Sequence, residues 1–170
     1  MQGHELLIDA FGRVREQAHA AVADLTLDQL HERVGPDANP IAWLVWHLAR
    51  VQDDHVADVA GTEQLWTAQG WAERFGTPYR TAAIGYGHSS QDVAQLRVPS
   101  AELLTGYHDA VHDQTVAYLS GLKDDDFDRI VDTRWDPAVT LGVRLVSVAS
   151  DTLQHVGQAA YVKGILLSRG

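Results

Sequence analysis

Apolar residues recur at three-and-four spacing over residues 4 to 24. Leu6, Leu7, Ala10, Phe11, Val14, Ala18, Ala21 and Val22 fall on one side of a 3.6-residue period. This predicts an amphipathic first helix. Thr26 followed by Gln29 fits a capping box for a short turn through Leu30, and GPDANP then breaks the chain. Asn39-Pro40 is a helix start, with Asn as N-cap and Pro in the first helical position. The second helix, IAWLVWHLARVQDDHVADVA, runs to Gly61 as a C-cap.

Residues 62 to 99 lose this regularity. Short helical pieces are predicted at 62–67 and 90–97. The rest is aromatic and glycine-rich, with Trp66, Trp71, Tyr79, Arg80 and Tyr86. A connection of this length is functional or disordered more often than not, and its aromatic content favours an ordered cover. Ser100 caps a third helix, AELLTGYHDAVHDQTVAYLSGL, whose apolar stripe includes Leu103, Leu104, Tyr107, Val111, Tyr118 and Leu122. A charged connection, KDDDFDRIVDTRWDPAV, precedes Thr140, which opens a fourth helix over about 141–167. Four long helices, no convincing strand pair and no internal repeat predict an all-α fold. It is a single-domain four-helix bundle with one long ordered crossover between the second and third helices.

Composition narrows the function. There are 13 Lys and Arg against 23 Asp and Glu, a formal net charge of −10. This argues against nucleic-acid backbones and anionic membranes as partners. No apolar run reaches the length of a membrane span, and the N-terminal stretch reads as a charged helix and not as a signal peptide. A cytoplasmic protein is the expectation. Cysteine is absent, so any thiol chemistry uses a thiol supplied as a substrate.

The fourth helix holds the candidate chemistry. Asp151 and His155 stand four residues apart on one face, with Gln158 a turn further on. A carboxylate among apolar neighbours requires a partner. Either Asp151 pairs with Arg50 or Arg144 and His155 is a core histidine, or the two hold a metal ion from one side. His108 and His112 are also four apart but alternate with Asp109 and Asp113, and read as a solvated pair. On the second helix, periodicity does not choose between His47, beside Trp43, and His55. His4, His19, His31 and His88 read as surface or loop residues. Asp54 lies two turns after His47, placed to orient Arg50 or a ligand.

The segments NPIAWLVWHLARVQDDHVAD and DTLQHVGQAAYVKGI resemble the second and fourth helices of the DinB-like superfamily. Together with EQLWTAQGWAERFGTPY and AELLTGYHDAVHDQTVAYL, they are most similar to its branch of mycothiol-dependent transferases and maleylpyruvate isomerases. The resemblance covers about residues 5 to 167. It implies a metal held by His47, Asp151 and His155, with His55 in a core or helix-end role. Many members carry His where this chain has Asp151, and the isomerase-like branch has a carboxylate there.

Two imidazoles and one carboxylate suit a divalent ion, zinc or nickel first, with iron and manganese also compatible. The open coordination position of such a site takes a thiol or a water. The resemblance therefore implies a metal-dependent transferase, active in detoxification, that joins a low-molecular-weight thiol such as mycothiol to a small electrophile. The nucleophile would be the metal-bound thiolate of the co-substrate. Asp54 and Gln158 would support the site from behind, and Trp66, Tyr79, Arg80 and Tyr86 would bind substrate. The competing expectations are a mycothiol-dependent isomerase of maleylpyruvate type, weakened by the lack of an evident C-terminal domain, and a non-enzymatic, stress-associated metal-binding bundle. An exposed apolar helix face in such bundles often supports a homodimer.

Overall fold

The computed structural model describes residues 2–169. Four long helices form a bundle: α1 (Gly3–Val22), α3 (Ile41–Ala60), α7 (Ala101–Ser120) and α8 (Leu141–Ser168). Between them lie the short helices α2 (Leu27–His31), α4 (Leu65–Ala68), α5 (Trp71–Phe75) and α6 (Ser90–Gln95). A 3₁₀ turn, Asp124–Asp128, leads into a hairpin of β1 (Ile130–Asp132) and β2 (Val139–Thr140). No helix among the described residues is long and apolar enough to cross a membrane.

The helix boundaries follow local capping chemistry. Thr26, Ser89, Ser100 and Thr140 each accept a backbone N–H three residues on, at the starts of α2, α6, α7 and α8. Gly61 ends α3 in the left-handed region at φ 68°, where a β-carbon is disfavoured. Two boundaries differ from expectation. Pro40, not Asn39, is the cap of α3, a shift of one residue. The predicted helical piece at 62–67 starts later and is followed by a second one, α5. The hairpin is a further correction: strands of three and two residues show too little alternation to be read from sequence.

Sixteen of the twenty residues of α3 are buried. A helix apolar on nearly every side is covered on every side. Here α8 and α7 pack against its inner face, and the crossover of residues 61–100 covers its outer face. The aromatic residues of the crossover lie largely inside. Trp66 sits against Trp46, Phe75 and Tyr107, and Trp71 sits against Tyr107.

A row of α3 side chains grips the crossover. Trp43 Nε1 donates to His88 Nδ1 at 3.3 Å, His47 to the Ile84 carbonyl, and Arg50 Nε to the Ala83 carbonyl at 3.3 Å. Asp53 accepts the backbone N–H groups of Leu65 and Trp66 at 2.9 and 2.8 Å, and Asp54 accepts Gln64 Nε2 at 2.7 Å. Apart from the adjacent Asp53 and Asp54, these positions recur every three or four residues, so one stripe of the helix sets the register of the connection.

Candidate metal centre

His47 on α3 meets Asp151 and His155 on α8. Each offers one ligand atom, and these atoms all lie within 4.8 Å of one another. The ring centroids of His47 and His155 are 4.7 Å apart at 69°. His155 Nε2 stands 3.7 Å from Asp151 Oδ1, as the four-residue spacing requires.

Both imidazoles are oriented from behind. The Ile84 carbonyl can only accept, so His47 Nδ1 carries its proton and Nε2 keeps a lone pair. Gln158 Oε1 lies 2.9 Å from His155 Nδ1 and sets the same tautomer there. Each ring thus presents an unprotonated Nε2 for coordination, with a carbonyl on its other nitrogen, the usual support of a metal-binding histidine. Burial lowers the His47 pKa below the ordinary histidine value, an effect partly opposed by its hydrogen bond to Ile84. The ring is therefore neutral at neutral pH. Trp43 stacks on it at 4.6 Å and 21°, which fixes its plane.

Asp151 is not neutralised by an arginine. Arg50 is fully buried and faces Asp53 and Tyr107. Arg144 binds Asp132 Oδ2 and His55 Nδ1, both at 3.0 Å. Asp151 Oδ2 is buried and has no hydrogen-bond partner among the described residues. A buried carboxylate oxygen left in this way is costly, and a cation held by His47, Asp151 and His155 would remove that cost. The donor set of two nitrogens and one carboxylate also fits a divalent ion.

The other expected residues divide. Tyr86 is brought to the centre: its ring meets His47 edge-on at 5.5 Å. Burial, then the charge of Asp151 and the approach of the hydroxyl to that carboxylate, push its phenol above the ordinary tyrosine value. Gln158 supports the centre through the outer nitrogen of His155. Tyr79 and Arg80 line a surface pocket of about 450 Å³ together with Tyr86 and His88. The Tyr79 hydroxyl donates to the Asp92 carbonyl at 2.7 Å.

Three expectations are corrected. Trp66 is 2% exposed and belongs to the core, with Arg50 over its ring at 4.7 Å, so it offers no binding surface. Asp54 does not orient Arg50, whose carboxylate partner is Asp53; Asp54 instead lines a second pocket of about 400 Å³ with His55, Arg134 and Arg144. His108 and His112 are buried and not solvated, because α1 packs along α7 and its Arg15 and His19 converge on Asp109. His88, read as a loop residue, stacks on Trp46 at 5.9 Å.

Sequence reasoning missed Ile84, Gly85 and the Asp132–Arg144–His55 chain. The glycine-rich run around Gly85 was the available signal for the first two.

A family model described as the DinB superfamily matches residues 10–159. A crystal structure of a conserved protein from Enterococcus faecalis superposes with a TM-score of 0.93. It is 28% identical in sequence, and 99% of each chain is covered. No curated protein matches the chain.

Proposed function

The chain belongs to the DinB superfamily, and from that premise we propose that it is a metal-dependent transferase. It would join a low-molecular-weight thiol, mycothiol by resemblance to one branch, to a small electrophile. The observation that carries this reading is the arrangement of His47, Asp151 and His155. Two imidazoles are held by carbonyls with Nε2 facing inward, beside a buried carboxylate oxygen that lacks a partner. Zinc or nickel suits this set, and three protein ligands leave a position open. A divalent ion bound there supplies the electrostatic pull that keeps a thiol ionised at neutral pH.

The chain's own residues do the rest. Trp43 and the Ile84 carbonyl hold the His47 ring, and Gln158 holds that of His155. Tyr86 keeps its proton and turns its O–H toward the Asp151 carboxylate. Two polar pockets adjoin this region. One has Arg80, Tyr79 and His88; in the other, Arg134 and Arg144 are already bound to Asp132, beside Asp54 and Asp58. The first offers the Arg80 guanidinium to a carboxylate on thiol or electrophile. The absence of cysteine means that no protein thiol competes.

The carboxylate at position 151 favours one second reading, a thiol-dependent cis–trans isomerase in which the thiol adds and leaves again. Product analysis separates the two, since only a transferase retains sulfur in its product.

The test begins with metal analysis of protein purified without chelators. Bound divalent metal is expected in the parent and not in His47→Ala or Asp151→Ala; equal retention in the variants refutes the site. Metal-loaded protein is then incubated with mycothiol or, separately, glutathione, and a bimane-type electrophile. Conjugation that disappears in His47→Ala supports the transferase. Tight metal binding with no turnover on either thiol refutes it and favours the non-enzymatic bundle.

A further inference from the structure

The outer face of α8 has a pattern that the bundle does not use. Val143, Val146, Leu153 and Leu167 are 55–60% exposed. Between them lie Ser150, Gly157, Ala160 and Gly164, also exposed. Together the eight positions alternate steps of three and four along the helix from 143 to 167. This is a heptad seam on the solvent side, sustained for more than three repeats.

The same face carries no charge. Every exposed residue of α8 is uncharged, in a chain of net charge −10. The three charged residues of the helix are turned aside and engaged. Arg144 goes to Asp132, Asp151 to the His47/His155 cluster, and Lys163 to the carbonyls of Ala20 and Ala23. Loss of charge at the centre of a surface patch marks an interface core. Two strongly acidic copies repel each other least where the contact itself carries no charge.

The two glycines give a second argument. A β-carbon on Gly157 or Gly164 would meet nothing within 4 Å, so the protomer gains nothing from the missing side chain. Glycine inside a helix nonetheless destabilises it relative to alanine.

We propose that the outer face of α8 is the self-association surface of this protein, pairing antiparallel with α8 of a second copy about a twofold axis beside residue 155. In that register Leu153 faces Gly157 of the second copy, and Val146 faces Gly164. Ser150 faces Ala160, and Val143 faces Leu167. Leu153 and Val146 each meet a glycine, the small pair Ser150/Ala160 lies between them, and the pattern complements itself, as an isologous contact requires. Two helices of 28 residues give a seam about 42 Å long. Exposed Tyr161 and the flanking Gln154 widen it toward the roughly 800 Å² per partner of a specific interface. The face lies on the reverse of the helix that carries Asp151 and His155, so the inference does not depend on the metal reading.

Light scattering with size exclusion on the full chain is expected to give a dimer at micromolar concentration, and Gly157→Glu a folded monomer. The lack of native cysteine allows a register test. Ser150→Cys and Ala160→Cys lie too far apart on one helix to join within a chain. The double variant is expected to form a disulfide-linked dimer on mild oxidation, and Val146→Cys/Ala160→Cys, one turn out of register, to remain largely unlinked. A parent that is monomeric overturns the proposal, whatever other protein it captures. So does a dimer that survives Gly157→Glu and fails to crosslink through 150 and 160.

Discussion

Gly85 lies so close to His47 that a β-carbon at position 85 would overlap the imidazole at Nδ1. The contact is a consequence of the hydrogen bond beside it. For the Ile84 carbonyl to accept the His47 proton, the backbone must pass directly over the ring, and the next residue turns away at φ 104°. Only glycine adopts that angle without strain and leaves the space empty. Gly85→Ala is therefore expected to displace either the ring or the loop, and to weaken metal binding by roughly ten- to a hundredfold. Calorimetric titration of the metal-free variant measures this. Affinity equal to the parent's would mean that His47 does not depend on the loop for its orientation.

That relationship also explains which part of the centre could be read from sequence. Asp151 and His155 were visible because their spacing is local, four residues on one helix. The choice of His47 over His55 was not local. Both lie on α3, and what separates them is a carbonyl 37 residues further along the chain. His55 instead faces Arg144 across the bundle. The long helices were legible because burial imposes the 3.6-residue period on them. The histidine pair on α7 was misread because one helix's pattern does not show how closely α1 covers it. Trp66 was misread for a related reason: an aromatic residue in a crossover looks the same whether it faces a ligand or the core, and the Asp53 carboxylate that pulls its backbone inward is 13 residues away.

Gln158 is exposed yet fixes the proton of His155. Replacing it with leucine keeps the bulk and removes the acceptor. Metal affinity is expected to fall by about tenfold, the lower end of the range for removing a partner of this kind, with little change in thermal stability of the metal-free protein. A fall in the metal-free melting temperature as large as that in a core variant would assign Gln158 a packing role instead.

Tyr107 joins Arg50 to Asp53 in the interior. Its hydroxyl donates to Asp53 Oδ2 at 2.7 Å and accepts from Arg50 Nη1 at 3.1 Å. Burial raises the Asp53 pKa, opposed first by that hydroxyl. Tyr107→Phe keeps the ring among Trp66, Trp71 and Phe75 but leaves both charged groups a bond short. A loss of about 1–3 kcal/mol is expected, read from the urea midpoint at constant slope. Asp53→Ala is expected to cost more, since it leaves Arg50 buried without its carboxylate and also releases the N-terminus of α4. If the two variants lose the same stability, the carboxylate contributes nothing beyond the hydroxyl.

His108 gives the protein a stability that depends on pH. The side chain is fully buried, and neither ring nitrogen has a hydrogen-bond partner among the described residues. Burial first, then the neighbouring His112, push its pKa down to about 3; Asp109 opposes this, while His19 and Arg15 of α1 add to it. In the unfolded chain the imidazole titrates near the ordinary 6.5. As pH falls through that value the unfolded state takes up a proton that the folded state refuses, so stability declines by about 1.4 kcal/mol per pH unit until the folded group titrates. Urea unfolding of metal-free protein between about pH 8 and about pH 5 is expected to show this decline. In His108→Leu the decline should be shallower by up to that amount, so that the variant gains on the parent as the solution is acidified. An unchanged slope would place the pH dependence on other groups, His112 and His47 first, whose pKa values burial also lowers.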